Sequence, residues 1–404
     1  MAGPPGAALT AQPDMDIPPV IFQLLWMLVL AHIALTWVLA VQRGLKARRE
    51  ETHPQPPRAE DLPPVSVIVP AWKEKGTIEK NIAALRRVDY PCWEAIILAG
   101  GEDGTYAAAI QAAVGDNRFR ILERGPEPKN AALNRGVQSA QYDIVVLLDT
   151  DNIVTPGWLA ALIAPIANGA SVSVGHSFPN RITWVTLEER MWHIYVYQIL
   201  KLSWIQGDRS IAIRRALLER IGGLPVHTYA REDWDIWARL GQTGERIAFA
   251  KGACLTTDRP ATLAESWKHQ VRWRRTHLNG MWEHRKVLLR QPADLFQQLF
   301  AYLFSIGLGG ITLAALLTSL FRPDWLPTWL NVLAMLVIWF CARQAAVAWA
   351  VAAFTGEWRW LARAWMPAMN VFLTTPASIV ALLTVQRLNP YYKGPRHAPT
   401  HLEN

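Results

Sequence analysis

An uncharged apolar run near the start of the chain limits most strongly how this sequence can fold. The run covers residues 20–41 and, at about 1.5 Å per helical residue, is long enough to cross a bilayer core about 30 Å thick. Residues 1–19 before it are rich in Pro, Ala and Gly and carry acidic but no basic side chains, which argues against a cleaved signal peptide. The sequence therefore predicts a disordered leader over 1–19 and an uncleaved transmembrane helix over 20–41.

Charge and composition indicate where the large middle region lies. Four basic side chains follow the apolar run, namely Arg43, Lys46, Arg48 and Arg49, and positive charge marks the cytoplasmic end of a membrane helix. With 51% hydrophobic and only 18% charged residues, the chain is too apolar for an ordinary soluble protein. We therefore expect an integral, multi-pass protein of the plasma or inner membrane, in which a basic and then Pro-rich linker over 42–64 leads into a cytoplasmic domain.

The middle of the chain alternates short apolar runs with helical stretches. The pattern predicts buried strands and intervening helices, with strands at 65–69, 95–98 and 144–148 and helices at 76–87 and 130–140. Such alternation is typical of an α/β domain with a mostly parallel sheet, and ligands of such sheets bind at the carboxyl ends of the strands. The sequence therefore predicts one α/β domain over 65–262 with its site at that edge of the sheet.

The last third of the chain becomes amphipathic and then apolar. Residues 263–290 predict interfacial helices, and residues 291–388 contain about three segments of spanning length before a tail over 389–404. If all three segments cross, the tail with Arg387 and Lys393 lies outside, where positive charge fits poorly. A re-entrant last segment and a weak charge bias both stay open as explanations.

Two acids stand directly after the predicted strand at 144–148. They are Asp149 and Asp151, separated by Thr150. Hard divalent cations prefer carboxylate oxygens, and a cation held by one or two carboxylates completes its shell with substrate phosphates. The acids therefore indicate a site for Mg²⁺ or Mn²⁺ and a phosphorylated substrate. Two acids at this spacing are also common in surface loops. Whether these acids form a catalytic site therefore has to be judged from the neighbouring segments.

Five further segments stand in order around these acids. They lie at 69–74, 129–134, 207–215, 231–233 and 270–273. Together with the acids they resemble the motifs of the family 2 inverting glycosyltransferases, in particular the membrane-integrated polysaccharide synthases related to cellulose, chitin, hyaluronan and type 3 capsule synthases. The resemblance covers residues 65–275 by motif and both membrane regions by layout. It implies a nucleotide-sugar-binding glycosyltransferase domain of the A type, flanked by transmembrane and interfacial helices.

The resemblance also implies roles for individual residues, including three catalytic acids. Asp151 would ligate Mg²⁺ or Mn²⁺, Asp149 would help hold the ribose and diphosphate, and Asp233 would take the proton from the acceptor hydroxyl. The other donor and diphosphate contacts would come from Pro70, Glu74, Lys129, Glu232, Gln270, Arg272 and Trp273. An alternative is that the acids at 232–235 only enrich a helix N-terminus with negative charge, but that alternative leaves the other motifs unexplained.

Two positions depart from the family pattern. The family places Gln three residues before its Arg-Trp pair, whereas this chain has His269 there and a Gln one residue later. The second strand of the family ends in acids that read the nucleotide base, whereas Ala99 and Gly100 stand here. Either Glu102 or Asp103 takes over recognition of the base, or the base is recognised less specifically; both alternatives stay open.

The predicted function follows from this combination of motifs and layout. It is a metal-dependent, inverting transferase that uses a nucleoside diphosphate sugar, here a UDP-sugar, to elongate a β-linked polysaccharide at the cytoplasmic face and move it into the membrane. One alternative is transfer of a single sugar to a membrane lipid, and another is a non-catalytic membrane protein that binds sugar nucleotides. The net charge of +8 suits anionic lipids and phosphorylated substrates, and we expect no nucleic acid partner because no binding signature for one is present.

Overall fold

The computed structural model describes residues 19–49, 62–200, 210–226, 232–245, 247–260, 262–290, 292–321 and 323–385. Almost all of the predicted leader, most of the linker, the tail and part of the segment 207–215 lie outside these residues. Arg231, the first residue of the segment 231–233, also lies outside them, as do the side chains of Glu232 and Asp233.

One eight-stranded sheet forms the centre of the domain. The strands are β1 Val65–Trp72, β2 Trp93–Gly100, β3 Phe119–Glu123, β4 Ile144–Leu147, β5 Asn152–Val154, β6 Val172–Pro179, β7 Ile211–Arg214 and β8 Ile247–Thr257. Their order is β3-β2-β1-β4-β7-β6-β8-β5. The first four strands are parallel to one another, as are β6 and β8, whereas β7 and β5 run antiparallel to their neighbours. The predicted α/β domain with a mostly parallel sheet is confirmed.

Fourteen α-helices are assigned within the described residues. In chain order, α1 to α14 are Pro19–Arg49, Lys75–Leu85, Thr105–Ala113, Lys129–Ser139, Trp158–Ala167, Trp184–His193, Arg215–Arg220, Glu232–Leu240, Leu263–Glu283, Arg285–Leu288, Pro292–Phe321, Leu326–Thr355, Arg359–Ala362 and Trp365–Leu383. A π-helical turn, Ile194–Ile199, continues α6, and a 3₁₀ turn, Pro323–Trp325, joins α11 to α12. Helix α1 extends to Arg49, beyond the predicted end of the apolar run at residue 41.

The sheet is buried on both faces, because successive side chains of a strand point to opposite sides. Val67 and Val69 belong to a core formed with α2, α3 and α5, whereas Ile68 between them belongs to a second core formed with α4, α7 and α8. Gly136 lets α4 approach the second face closely, since a Cβ there would lie 2.4 Å from Ile68 Cγ2. Burial on both faces explains the continuous apolar runs that mark these strands in the sequence.

A glycine at the end of β2 allows the chain to approach a neighbouring loop. A Cβ at Gly100 would lie 1.9 Å from the carbonyl oxygen of Arg124, which is a backbone atom and cannot rotate away. We expect Gly100→Ala to destabilise the protein by about 3 kcal/mol through overpacking, measured as a lower midpoint of thermal unfolding in detergent. Gly125→Ala is the control, because a Cβ at Gly125 meets no atom within 4 Å. Equal midpoints for the two variants would contradict this expectation.

Two helices of the described chain, α1 and α12, are long and apolar enough to cross a membrane. They run parallel and stay in contact along their length. Trp26 Nε1 donates to Asn331 Oδ1 at 2.9 Å near one end, and Arg48 Nη1 donates to the carbonyl oxygen of Ala353 at 3.3 Å near the other. Between these points Gly44 lies so close to α12 that a Cβ would be 2.6 Å from the Ala350 carbonyl oxygen.

The last helix, α14, has its two ends beside α6 and α9. Ala364, just before α14, packs against a cluster that contains Leu187 of α6 and Phe354 at the end of α12. Just after α14, the Oγ1 atom of Thr384 accepts a hydrogen bond from Arg275 Nε of α9 at 2.8 Å. Helix α14 therefore starts beside α6 and ends beside α9.

Candidate functional site

The segment with the two acids leaves β4 at its carboxyl end and is fixed from both sides. Thr150 is buried, and its Oγ1 donates to the carbonyl oxygen of Pro70 at the end of β1, at 2.7 Å. Asn81, buried on α2, donates through Nδ2 to the carbonyl oxygens of Asp149 at 3.4 Å and Asn152 at 2.8 Å. Because the acceptors of these bonds are backbone carbonyl oxygens, the loop is held without using either carboxylate.

Asp149 and Lys129, which come from separate sequence segments, meet in the structure. Lys129 is the first residue of α4, and its Nζ lies 2.6 Å from Asp149 Oδ1. Both side chains are mostly buried, with exposed fractions of 27% and 16%, so solvent screens this ion pair less than it screens a surface pair. The ion pair holds both side chains in place at the carboxyl end of β4.

The burial and position of Asp151 suit a metal ligand. Asp151 is buried to 9% exposure at the end of the short loop from β4, directly before β5, while the nearby Asp149 is engaged by Lys129. Mg²⁺ and related hard cations bind proteins through one or two carboxylates and complete their shell with substrate phosphates and water. One buried carboxylate beside a second acid therefore suits a cation that arrives with a diphosphate.

Glu74 and Asp103 belong to a hydrogen-bonded link between two loops at the same edge. The backbone N–H of Glu74 donates to Thr105 Oγ1 at 2.8 Å, and Asp103 accepts from that hydroxyl at 2.7 Å and from the Lys75 N–H at 3.2 Å. Partial burial raises the pKa of the Asp103 carboxyl, but its hydrogen bonds to Thr105 and Lys75 together hold the pKa below the ordinary value. Asp103 therefore joins the β1–α2 loop to the β2–α3 loop.

Glu102 has a different environment. Its side chain is 93% exposed, and its carboxylate lies 3.4 Å from Lys73 Nζ. A carboxylate this exposed stays hydrated, and its ion pair contributes little stability. Of the two acids expected to read the nucleotide base, Asp103 thus has a role between loops and Glu102 lies at the surface.

Helix α9 carries the predicted Gln270, Arg272 and Trp273. It begins after a capping box in which the side chains of Thr262 and Glu265 bond each other's backbone N–H groups. Residue His269, which replaces the Gln of the family, lies one turn before Trp273, and the two ring centroids are 4.1 Å apart. His269 therefore supports the face of Trp273 through aromatic contact.

Arg259 connects α9 to the edge of the sheet, and it lies outside the motifs found in the sequence. Its guanidinium lies 5.0 Å from the ring centroid of Trp273, a cation–π distance. Strand β8 ends two residues earlier and pairs antiparallel with β5, with Asn152 opposite Thr257. The chain leaving β8 therefore runs beside the acids that precede β5. In the sequence, the only hint of a role for Arg259 is its position two residues after an apolar strand.

Helix α8, described over Glu232–Leu240, lies where the sequence predicted a helix. Its fourth residue, Asp235, forms a group with Glu283 and His284 in which three potential metal-ligand atoms lie within 4.8 Å of one another. Arg239 also forms an ion pair with Asp235. Because that guanidinium already supplies positive charge, we interpret the group as a set of ion pairs and not as a second metal site.

Comparison with known proteins places the domain in a family. Residues 63–276 match the family described as Glycosyltransferase like family 2. The probable glycosyltransferase YdaM of Bacillus subtilis is 24% identical over 62% of this chain and 64% of its own length. The poly-β-1,6-N-acetyl-D-glucosamine synthase of Staphylococcus aureus is 29% identical over 53% of this chain and 54% of its own length. The chain spans less than two-thirds of the length of these curated relatives.

A solved structure shares the fold over most of the chain. The mannosyltransferase PcManGT from Pyrobaculum calidifontis, solved with GDP-Man and Mn²⁺, matches 90% of this chain and 99% of its own with a TM-score of 0.52. The sequence identity is 18%, so this likeness concerns the fold alone.

Proposed function

We infer, because this chain belongs to the glycosyltransferase-like family 2, that it transfers a sugar with inversion from a nucleoside diphosphate donor to an acceptor at a membrane surface. The chain is a glycosyltransferase that uses a nucleotide sugar. The observation that carries the finer proposal is the Lys129–Asp149 ion pair beside Asp151 at the carboxyl end of β4. A carboxylate held in place by a lysine, beside a second carboxylate, suits a metal-bound diphosphate.

Three charged residues, Asp151, Arg272 and Asp233, have separate roles in the proposed reaction. A divalent cation held by Asp151 would neutralise negative charge that develops on the departing diphosphate. Arg272 offers a planar fork that can bind two diphosphate oxygens at once. Asp233, in the first turn of α8, would take the proton of the acceptor hydroxyl on the face opposite the leaving group. Attack from that face inverts the anomeric carbon, so an α-linked donor gives a β-linked product.

The identity of the donor base is part of the proposal. The family resemblance favours a UDP-sugar, whereas the mannosyltransferase with the similar fold was solved with GDP-Man. Asp103 is engaged in joining two loops, and Glu102 is exposed. We therefore propose that neither acid discriminates the base strongly, so that UDP- and GDP-sugars must both be tested as donors.

The helix arrangement favours a lipid-bound acceptor that receives one sugar. Helices α1 and α12 are in contact from Trp26 and Asn331 to Arg48 and Ala353, which leaves no passage between them for a glycan. These helices would instead hold the catalytic domain at the bilayer surface. The second candidate is elongation of a β-linked polysaccharide, and the similarity to a poly-β-1,6-N-acetyl-D-glucosamine synthase supports it.

Incorporation of label from a panel of radiolabelled UDP- and GDP-sugars tests the proposal. Purified protein in detergent, with Mn²⁺ or Mg²⁺ and membrane lipid extract, is expected to yield one labelled glycolipid of discrete size. A ladder or high-mass product would favour polysaccharide elongation. Nucleotide binding without turnover from any donor would refute the enzymatic proposal and favour the non-catalytic alternative.

The position of α14 predicts the location of the C-terminus. Because α14 starts and ends beside α6 and α9, we expect it not to cross the membrane, so the basic tail lies with the catalytic domain in the cytoplasm. In a bacterial host, alkaline phosphatase fused after the last residue should be inactive and green fluorescent protein fused there should fluoresce. The control fusion at the α11–α12 turn, Pro323–Trp325, should show the opposite pattern. Active phosphatase at the C-terminus would contradict the prediction.

A further inference from the structure

Asp235, which the proposed chemistry does not use, binds two partners from different parts of the domain. It is buried to 5% exposure on α8. One carboxylate oxygen lies 3.1 Å from Nε2 of His284, the residue between α9 and α10, and the other forms an ion pair with Arg239 one turn along α8. A buried carboxylate with two such partners joins α8 to the end of α9, and removing one partner of a buried pair is costly.

Arg239 extends the connection to the turn after α7. Its Nη1 donates to the carbonyl oxygens of Ile221 and Gly223, at 2.5 and 2.6 Å. Gly222 and Gly223 have φ angles of 89° and 69°, a region that favours glycine. The turn therefore has a shape that depends on its glycines and presents two carbonyl oxygens to one guanidinium.

Helix α4 binds the other side of the same turn. Asn134 accepts from the backbone N–H of Leu224 at 2.9 Å and donates to its carbonyl oxygen at 2.7 Å. Asn130 Nδ2 donates to the carbonyl oxygen of Pro225 at 2.8 Å. The same helix begins with Lys129, the partner of Asp149. A continuous series of polar contacts thus runs from the donor-side ion pair to the end of α9.

We propose that Asp235 is a positioning residue that, with Arg239, His284 and Asn134, holds the first turn of α8 in register between α4 and α9. This inference rests on the proposed function, because Asp233 as the base lies in that turn. A base must stand within hydrogen-bond reach of the acceptor hydroxyl, and a misplacement of about 1 Å can lower the rate about 10²-fold. Asp235 sets the position of the base relative to the donor without contacting either substrate.

Steady-state kinetics test the positioning role. Asp235→Asn and His284→Ala should each lower kcat about 10- to 100-fold while the KM for the donor changes by less than about threefold. His284→Gln should retain most of the wild-type kcat, because its amide can still donate to Asp235. The double variant Asp235→Asn/His284→Ala should be no slower than the worse single variant. Asp143→Asn is the control, since Asp143 is 89% exposed at the other end of β4.

Hydrogen–deuterium exchange provides a readout that needs no turnover. Asp235→Asn should increase exchange in residues 221–226, in α8 and in residues 284–288, and leave α2 and α3 unchanged. Three results would overturn the proposal. They are an unchanged kcat, a donor KM that rises by the same factor as kcat falls, and increased exchange spread evenly over the domain. If the wild type is inactive with every donor, the proposed function fails, and the exchange pattern still decides whether the contacts are coupled.

Discussion

Asp233→Asn is expected to lower kcat by about 10²- to 10⁴-fold, the contribution typical of a positioned general base. Asn has nearly the same shape as Asp but cannot accept the proton of the acceptor hydroxyl. Donor binding should be preserved, because Asp233 is assigned to the acceptor side. The measurement is kcat from label incorporation together with the nucleotide affinity from calorimetry.

Two further variants serve as comparisons for Asp233→Asn. Asp143→Asn removes an exposed carboxylate elsewhere on the domain and should leave kcat unchanged. Glu232→Gln alters the neighbouring acid in the first turn of α8 and should have a smaller effect than Asp233→Asn. If Asp233→Asn keeps more than about a tenth of the wild-type kcat, where a base contributes at least 10²-fold, Asp233 is not the base.

Asp151→Asn should lower kcat/KM for the donor about 10³-fold or more, because a metal ion contributes several kcal/mol of charge stabilisation to the departing diphosphate. The amide is a weaker ligand than the carboxylate, so the variant should need much more Mn²⁺ to reach half of its maximal rate. The measurement is a Mn²⁺ titration of label incorporation at a fixed donor concentration.

The Mn²⁺ titration also distinguishes the role of Asp151 from the role of Asp233. Excess Mn²⁺ should partly restore Asp151→Asn and should not restore Asp233→Asn. Asp116→Asn is the matched control, because Asp116 pairs with Arg118 before β3 and away from the acids after β4. An unchanged Mn²⁺ requirement in Asp151→Asn would exclude Asp151 as the metal ligand and leave Asp149 as the carboxylate to test.

Elements whose signals are local agree well with the sequence. The helix expected at 130–140 is α4, Lys129–Ser139, and the strand expected at 144–148 is β4, Ile144–Leu147. Within the described residues, helix α8 covers Glu232–Leu240, where a helix was expected. These signals are local because hydrophobic periodicity and helix-end residues act within one or two turns of chain.

Two residues that help to shape the site, Asn81 and Arg259, lie outside the family motifs but have recognisable positions in the sequence. Asn81 occupies a buried position on α2 beside Ile78 and Ile82, and a polar residue at an apolar helical position calls for a hydrogen-bond partner. The partner proved to be the backbone around Asp149 and Asn152. Arg259 had a weaker signal, because its contact with Trp273 depends on how β8 and α9 meet.

By itself, the sequence determined the α/β alternation, the acids at the end of a buried strand and the apolar helices that flank the domain, because each depends on residues close together in the chain. Only the tertiary structure decided that Lys129 pairs with Asp149 and Asp235 with His284. It alone also decided that α14 returns to the catalytic domain. These contacts depend on the order of strands and the crossing of helices, which arise from packing between distant segments and leave no periodic pattern in the sequence.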